Sequence, residues 1–359
     1  MNYALVLTDI RVIRDGRAVL NIGQLSVVQG EVLTIIGPNG AGKSTLLLAM
    51  SALIQPESGE VRFNGIALNP RRSLAYRRRI SLVLQKPLLV NGSVLDNVAL
   101  GPQLRRVPKK ERQEGAKVWL DRFGISHLAD RPAHMLSGGE AQRVSLARAF
   151  ALNPEIILLD EPFSALDAPT RRALLEDFQT LIADTGITTI FVTHDMDEAL
   201  HLGHRVAVLL EGELKQIGSP DEVFSAPVDS DVAAFVGLDT TVFGQVLNAR
   251  EGILTVRVGE HDLEAIGDYQ VGRTVLFCVR PGDVTLWADD QLPASSARNR
   301  LSGPIVKVLP RGPQVQVVVD CGFQMKVLIT RSSAREMALT PGKNVALTFK
   351  ASAVHLIPH

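Results

Sequence analysis

The apolar positions of this chain change rhythm near two thirds of its length. Before that point, short runs that read as buried on both faces alternate with helical periods. Val32–Ile36 is apolar except for Thr34, residues 156–159 are wholly aliphatic, and Thr188–Thr193 is β-branched or aromatic throughout. Such runs predict strands of a parallel sheet covered on both faces. Ala173, Leu174, Leu175, Phe178, Leu181 and Ile182 recur at helical spacing, and residues 195–202 open another helix. Residues 94–129 read mainly helical, with Pro102 and Pro108 expected to interrupt them. After Gly237 the texture becomes short β segments, such as 254–258, 275–279 and 315–319, parted by Gly and Pro. A second, all-β domain is predicted from there.

That second domain carries a faint duplication. Residues 271–276 parallel 341–346, and Arg280, Val284 and Leu286 parallel Lys350, Val354 and Leu356. Two five-stranded barrels of the OB type would account for it.

Candidate chemistry lies at the ends of the predicted strands. Val32–Ile36 runs into Gly37, Pro38, Asn39, Gly40, Ala41, Gly42, Lys43 and Ser44, followed by Thr45. This spacing between a strand and a helix makes a phosphate loop. Its backbone N–H groups close on a polyphosphate, Lys43 reaches the outer phosphates, and the Ser44 hydroxyl can ligate Mg²⁺. The run at 156–159 ends in Asp160 and Glu161, two carboxylates delivered side by side. Asp160 is placed to hold the metal and Glu161 to polarise a water attacking the γ-phosphate. His194 follows the strand at Thr188–Thr193 and is expected at the same sheet edge.

With Leu-Ser-Gly-Gly-Glu at 136–140 and Thr-His-Asp at 193–195, these strings make the chain resemble the ATP-binding cassette family, in particular importer ATPases, over residues 5–236. The resemblance implies an α/β P-loop NTPase cassette over 1–237, with a helical subdomain at about 88–135. An all-β domain of two OB-like barrels would follow at 238–359. It implies ATP and Mg²⁺ as cofactors, with Glu161, His194, Gln85 and Lys43 catalytic and Ser44, Gln85 and Asp160 at the metal. Ser137, Gly138 and Gly139 would touch the γ-phosphate held by a second subunit, with Glu140 also at the nucleotide and Asp167 in a loop that cross-talks between the sites. One phosphate loop and one signature loop per chain then require a head-to-tail homodimer. Two transmembrane permease subunits, and indirectly an external solute-binding protein, are the implied partners. The family's adenine-stacking aromatic has no counterpart in residues 12–16, which leaves Arg14 to stack on the base or Ile13 to supply an apolar face.

Composition fits this reading. The 38 basic residues balance 38 acidic ones, which argues against a nucleic-acid binder. No apolar run is long enough to span a bilayer, and the start lacks a secretory pattern, so a peripheral position on the cytoplasmic side of the membrane is expected. Cys278 and Cys321 read as buried strand residues. The basic runs at 77–79 and 105–110 read as solvated charged faces, against the alternative of meeting a membrane surface or an acidic coupling loop.

The string most specific for a substrate is Ser-Ser-Ala-Arg-Asn at 295–299. It resembles the Ser-Ala-Arg-Asn segment of molybdate-binding Mop modules. This makes Ser296, Arg298 and Asn299 candidates for a regulatory oxyanion, against the alternative of a polar linker. Molybdate or tungstate is the implied solute; sulfate, polyamine, sugar and iron importers, or a cassette ATPase outside transport, are the alternatives.

Overall fold

The computed structural model describes residues 2–164, 166–238, 240–288 and 295–358. They form two compact units that part between Val223 and Phe224, ahead of the 237/238 division expected from texture.

The first unit holds β1 (Tyr3–Arg14), β2 (Arg17–Val28), β3 (Val32–Ile36), α1 (Lys43–Met50), β4 (Ser58–Phe63), β5 (Ile66–Ala67), α2 (Ser73–Arg77) and β6 (Ile80–Val83). Next come α3 (Val94–Leu104), α4 (Lys109–Arg122), α5 (Gly138–Phe150), β7 (Ile156–Asp160), α6 (Ala168–Thr185), β8 (Thr188–Thr193), α7 (Met196–Leu202), β9 (Arg205–Leu210) and β10 (Glu213–Gly218). One sheet runs β5-β4-β1-β2-β10-β9-β3-β8-β7-β6. β9, β3, β8, β7 and β6 pair in parallel, while β1 pairs antiparallel with β2 and β4.

Alternate residues of the central strands serve two cores. Ile157, Leu159 and Phe191 join the cluster under α3 to α6, whereas Ile156, Leu158, Ile190 and Val192 join the one under α1 and the β1–β2 hairpin. Two-sided burial is what an uninterrupted apolar run requires.

Pro102 does not break a helix, contrary to the reading from sequence. It lies in the last turn of α3, where a missing N–H costs one bond rather than a ladder, and Pro108 is the cap from which α4 starts. The basic runs are also not simply solvated. Arg105 donates to the carbonyls of Leu152 (3.0 Å) and Arg78, and Arg79 pairs with Glu155 while lying over the Phe63 ring. Among the described residues, no helix is long and apolar enough to cross a membrane.

The chain continues through α8 (Pro220–Ser225) and α9 (Ser230–Phe235) into β strands. These are β11 (Thr240–Arg250), β12 (Ile253–Val258), β13 (His261–Ile266), β14 (Thr274–Val279), β15 (Thr285–Trp287), β16 (Asn299–Arg311), β17 (Gln314–Asp320) and β18 (Gln324–Thr330). The short α10 (Arg331–Glu336) precedes β19 (Asn344–Phe349) and β20 (Val354–Pro358). The two five-stranded sheets run β13-β12-β11-β14-β20 and β15-β19-β16-β17-β18.

The duplication is therefore real in three dimensions, with a feature the sequence did not reveal: each repeat sends its fifth strand into the other's sheet. Both copies carry the same bulge, between Val246 and Asn248 and between Ile305 and Lys307. Both close it with the same pair of backbone bonds, Gly272 N to Val246 O and Gly342 N to Ile305 O. The sheets share one core, so the repeats are two curled half-barrels rather than independent barrels. Cys278 and Cys321 are buried and free, and burial pushes each thiol up to about 12.

Where β16 crosses β17, only glycine fits: a Cβ on Gly303 would stand 1.8 Å from the Asp320 carbonyl oxygen. Gly303→Ala is expected to destabilise the C-terminal unit by ~3 kcal/mol or more. Urea unfolding followed at Trp287, with Trp119 reporting the first unit, checks this; an unchanged Trp287 midpoint contradicts the crossing.

Candidate functional site

Parallel register brings three strand ends level. Ile36 pairs with Thr193, and Asp160 with Val192, so the loop after β3, the acids closing β7 and the histidine after β8 share one edge of the sheet. An edge where neighbouring connections leave in opposite directions is where open α/β sheets bind ligands.

The loop from Gly37 to Gly42 hands over to α1 through Gly42, whose φ is 98°. A Cβ there would approach Leu20 Cδ2 and the Val19 carbonyl oxygen to 2.8 Å, so glycine is required on both counts. Pro38, Asn39, Gly40 and Ser44 are exposed, and Thr45 is half-buried. Lys43 is only 6% exposed and folds back on the loop, donating to the carbonyls of Gly37 (2.8 Å) and Pro38 (3.0 Å). Burial pushes its ammonium pKa down, opposed by Glu161 and Asp160.

Glu161 is the hub. Its backbone takes a left-handed φ of 44°, held by a bond from its N–H to Val192 O (2.9 Å). Two residues on, Phe163 is fully buried against Phe178 and Phe191. The carboxylate, 11% exposed, meets His194 Nδ1 at 3.0 Å, the Gln85 amide at 3.2 Å and Lys43 Nζ at 3.7 Å. Three expected catalytic residues from three segments thus converge on the carboxylate of the fourth. Asp160 is buried, which raises its carboxyl pKa, while a hydrogen bond from Ser44 opposes the rise. A hydroxyl joined to a carboxylate beside the phosphate loop is the hard oxygen set that Mg²⁺ takes, so the residues fit that ion.

The other expected contacts gather elsewhere. Ser137 caps α5 in a reciprocal box with Glu140, the Ser137 N–H donating to Glu140 Oε2 (2.7 Å) and the Glu140 N–H to Ser137 Oγ (3.3 Å). Those bonds hold the Glu140 carboxyl below its usual range. Asp167 caps α6 through the Thr170 N–H (3.0 Å) and hydroxyl (2.9 Å). Ser137, Gly138, Gly139 and Asp167 line a common hollow of about 440 Å³ that includes no residue of the phosphate loop. Arg14 stands exposed at the tip of the β1–β2 hairpin, beside a turn with φ of 49° at Asp15 and 75° at Gly16.

At the oxyanion candidate, Ser296 and Arg298 are exposed, while Asn299 is 2% exposed. Its side chain accepts from the Glu264 N–H (2.7 Å) and donates to the Glu264 carbonyl (2.8 Å). Its counterpart in the first repeat, Thr240, likewise accepts from the Lys326 N–H (3.1 Å). Asn299 is a pin between repeats, with its amide oxygen and one of its two N–H donors spent on the Glu264 backbone.

Sequence reasoning did not single out Arg171, Thr193 or Glu198, which link the loops behind His194. A glutamate three residues after an N-cap aspartate was the available signal.

An ABC transporter family model matches residues 20–164, and a TOBE domain model matches 295–356. The molybdate/tungstate import ATP-binding protein WtpC of Pyrococcus horikoshii is 35% identical over 337 residues, covering 92% of this chain and 94% of the relative. The chain belongs to the ATP-binding cassette family. This cassette chain is an ATPase with a TOBE domain. It is also 39% identical to WtpC of Thermococcus kodakarensis, over 78% of this chain and 82% of that one. The spermidine/putrescine import ATP-binding protein PotA of Oleidesulfovibrio alaskensis is 32% identical, over 97% and 95%. Among solved structures, a dimeric ATP-binding cassette MJ0796 bound to ADP and Pi matches with a TM-score of 0.54 and 32% identity. It covers 60% of this chain and 98% of that one.

The buried Asp160 carboxylate has a stability consequence. A carboxyl whose folded pKa is raised favours the native state at low pH and loses that contribution as pH rises through the folded value. Asp160→Asn is therefore expected to stabilise the nucleotide-free chain at pH 7 by ~1 kcal/mol, with the gain vanishing in acid as Asp160 itself protonates. Thermal denaturation across pH reads this out; a variant less stable at pH 7 than its parent overturns it.

Proposed function

We propose that this chain is the ATP-hydrolysing subunit of a molybdate or tungstate importer, working as a homodimer against two permease subunits on the cytoplasmic face of the membrane. The observation that carries hydrolysis is the Glu161 carboxylate, half-buried at the phosphate loop and met by Lys43, Gln85 and His194. In this reading Glu161 takes the proton of the attacking water, and His194 orients that carboxylate and the γ-phosphate. Lys43 exchanges its two carbonyl partners for phosphate oxygens. Ser44 and Asp160 would hold Mg²⁺, which supplies charge neutralisation on the phosphates.

The homodimer is supported by the separation of the two loops on one chain. Ser137 to Gly139 open on a hollow of their own, so they would meet the γ-phosphate bound by a partner copy. ATP contacts both chains only when they close, which gives it the differential affinity that drives closure. Exposed Leu84, Leu88 and Val90 flank Gln85 ahead of α3, a surface suited to a permease loop that senses the site through that glutamine.

The solute rests on weaker support. The WtpC relatives lean toward molybdate or tungstate, yet PotA is nearly as similar over more of the chain. Ser296 and Arg298 are exposed to a regulatory oxyanion, and the buried Asn299 retains one amide N–H beyond its bond to Glu264.

Glu161→Gln is expected to cut kcat by ~100-fold or more while ATP binding persists and a closed dimer accumulates on size exclusion. Parental turnover by that variant removes Glu161 from the role of base. For the solute, calorimetric titration of the full chain with molybdate, tungstate and sulfate should show heat that Arg298→Ala weakens by ~10-fold. Absence of heat with all three ends the oxyanion reading and leaves the polyamine alternative favoured.

A further inference from the structure

Behind His194 lies a set of contacts that the reaction as described does not use. Thr193, 2% exposed, donates its hydroxyl to Glu198 Oε2 (2.6 Å) and accepts from the Asp195 N–H (3.0 Å). Asp195 caps α7 with Oδ1, accepting from the N–H groups of Asp197 (2.9 Å) and Glu198 (3.3 Å). Its Oδ2 takes Arg171 Nη1 at 3.3 Å. Both neighbours of the histidine are thereby fixed, one by Glu198 and the other by Arg171.

Arg171 also reaches the opposite way. Its Nη2 donates to the Leu166 carbonyl (3.1 Å), and its own N–H donates to the Asp167 carbonyl (2.9 Å). Its Nε is buried without a hydrogen bond, 3.9 Å from the carboxylate of Glu198, which is 3% exposed. Leu166 in turn packs on the signature loop, since a Cβ on Gly139 would meet Leu166 Cδ2 at 3.0 Å. A surface arginine gains little from such an arrangement. A guanidinium sunk between two loops, with its planar fork divided between them, fixes their separation.

We propose that Arg171 is a positioning residue for ATP hydrolysis, holding the His194 segment in register with the loop that ends at Asp167. The 3.0 Å contact between His194 and Glu161 then persists only while that loop is in place. The inference rests on the assignment of Glu161 and His194 to hydrolysis.

The test is steady-state ATP hydrolysis by the full chain. Arg171→Met, which keeps the packing and loses the fork, should lower kcat by ~30-fold with KM within ~2-fold, because geometry rather than binding is lost. Arg171→Lys should recover to within ~5-fold of the parent by restoring the charge. The neighbouring exposed Arg172, changed to Met, should match the parent. Decisively, in a His194→Ala background Arg171→Met should cost less than ~2-fold, since there is no ring left to position. A kcat within 2-fold of the parent, a change in KM alone, or an equal loss in both backgrounds overturns the proposal. Should Arg171→Met not fold, Asp195→Asn keeps the Oδ1 cap of α7 while removing the Oδ2 acceptor of Arg171 Nη1, and is held to the same non-additivity. Glu161→Gln and His194→Ala run beside it separate the two levels. If both turn over at the parental rate, the hydrolytic assignment falls and takes this inference with it; if they are slow while Arg171→Met is fast, only the positioning role falls.

Discussion

A charged group has to be delivered from the end of a fully buried strand, and the cassette is organised around that requirement. β7 has no exposed position, yet the next residue is a carboxylate that must face a ligand. The chain meets the demand with a left-handed turn at Glu161 and a core anchor at Phe163 two residues later. Neither would hold alone. A non-glycine residue at φ 44° costs of order 1 kcal/mol or more, so the fold has to over-determine it. The bond to Val192, the bond from the Ser164 hydroxyl to the Glu161 carbonyl and the Phe163–Phe178–Phe191 packing all do so.

The same requirement explains why partners come from so many segments. An unpaired carboxylate at 11% exposure would pay heavily for desolvation, and a single cation beside it would be spent on a static pair. Here the contacts are divided. Lys43 is mainly engaged with loop carbonyls and lies 3.7 Å away, His194 is half exposed, and Gln85 contributes a neutral amide. Each contact is individually breakable, which suits a group that must exchange them for substrate.

Much of this was legible in the sequence because it depends on local spacing. The phosphate loop, the acids closing an aliphatic run and the histidine after a β-branched run all sit at strand ends, and parallel register then forces those ends together. What could not be read depends on contacts distant in the chain. The exchange of β15 and β20 between repeats leaves no mark on hydropathy, because a swapped strand buries the same face as an unswapped one. Asn299 shows the consequence. Its neighbours suggested an anion site, but the amide's partner is the backbone of Glu264, thirty-five positions away. Arg105 is similar: its charge suggested solvent, whereas its fork closes on two carbonyls.

The two loops that flank the nucleotide chemistry are built by different physics, and this bears on how they act. The phosphate loop is held by close backbone approach, with Gly42 pressed on β2, so it has little room to move. The signature loop instead hangs on a helix cap, two hydrogen bonds between Ser137 and a half-buried Glu140 that also pairs with Arg131. A capping box orients the amides at the start of α5 outward without burying them, so the helix end is preformed and still open to a partner's ligand. In the proposed homodimer, a rigid cradle on one chain and a preformed, open helix end on the other would satisfy each other across a two-fold axis, which makes both sites at once or neither. Leu166 and Arg171 lie between those regions, so the geometry around His194 is joined to the surface through which a second copy would engage.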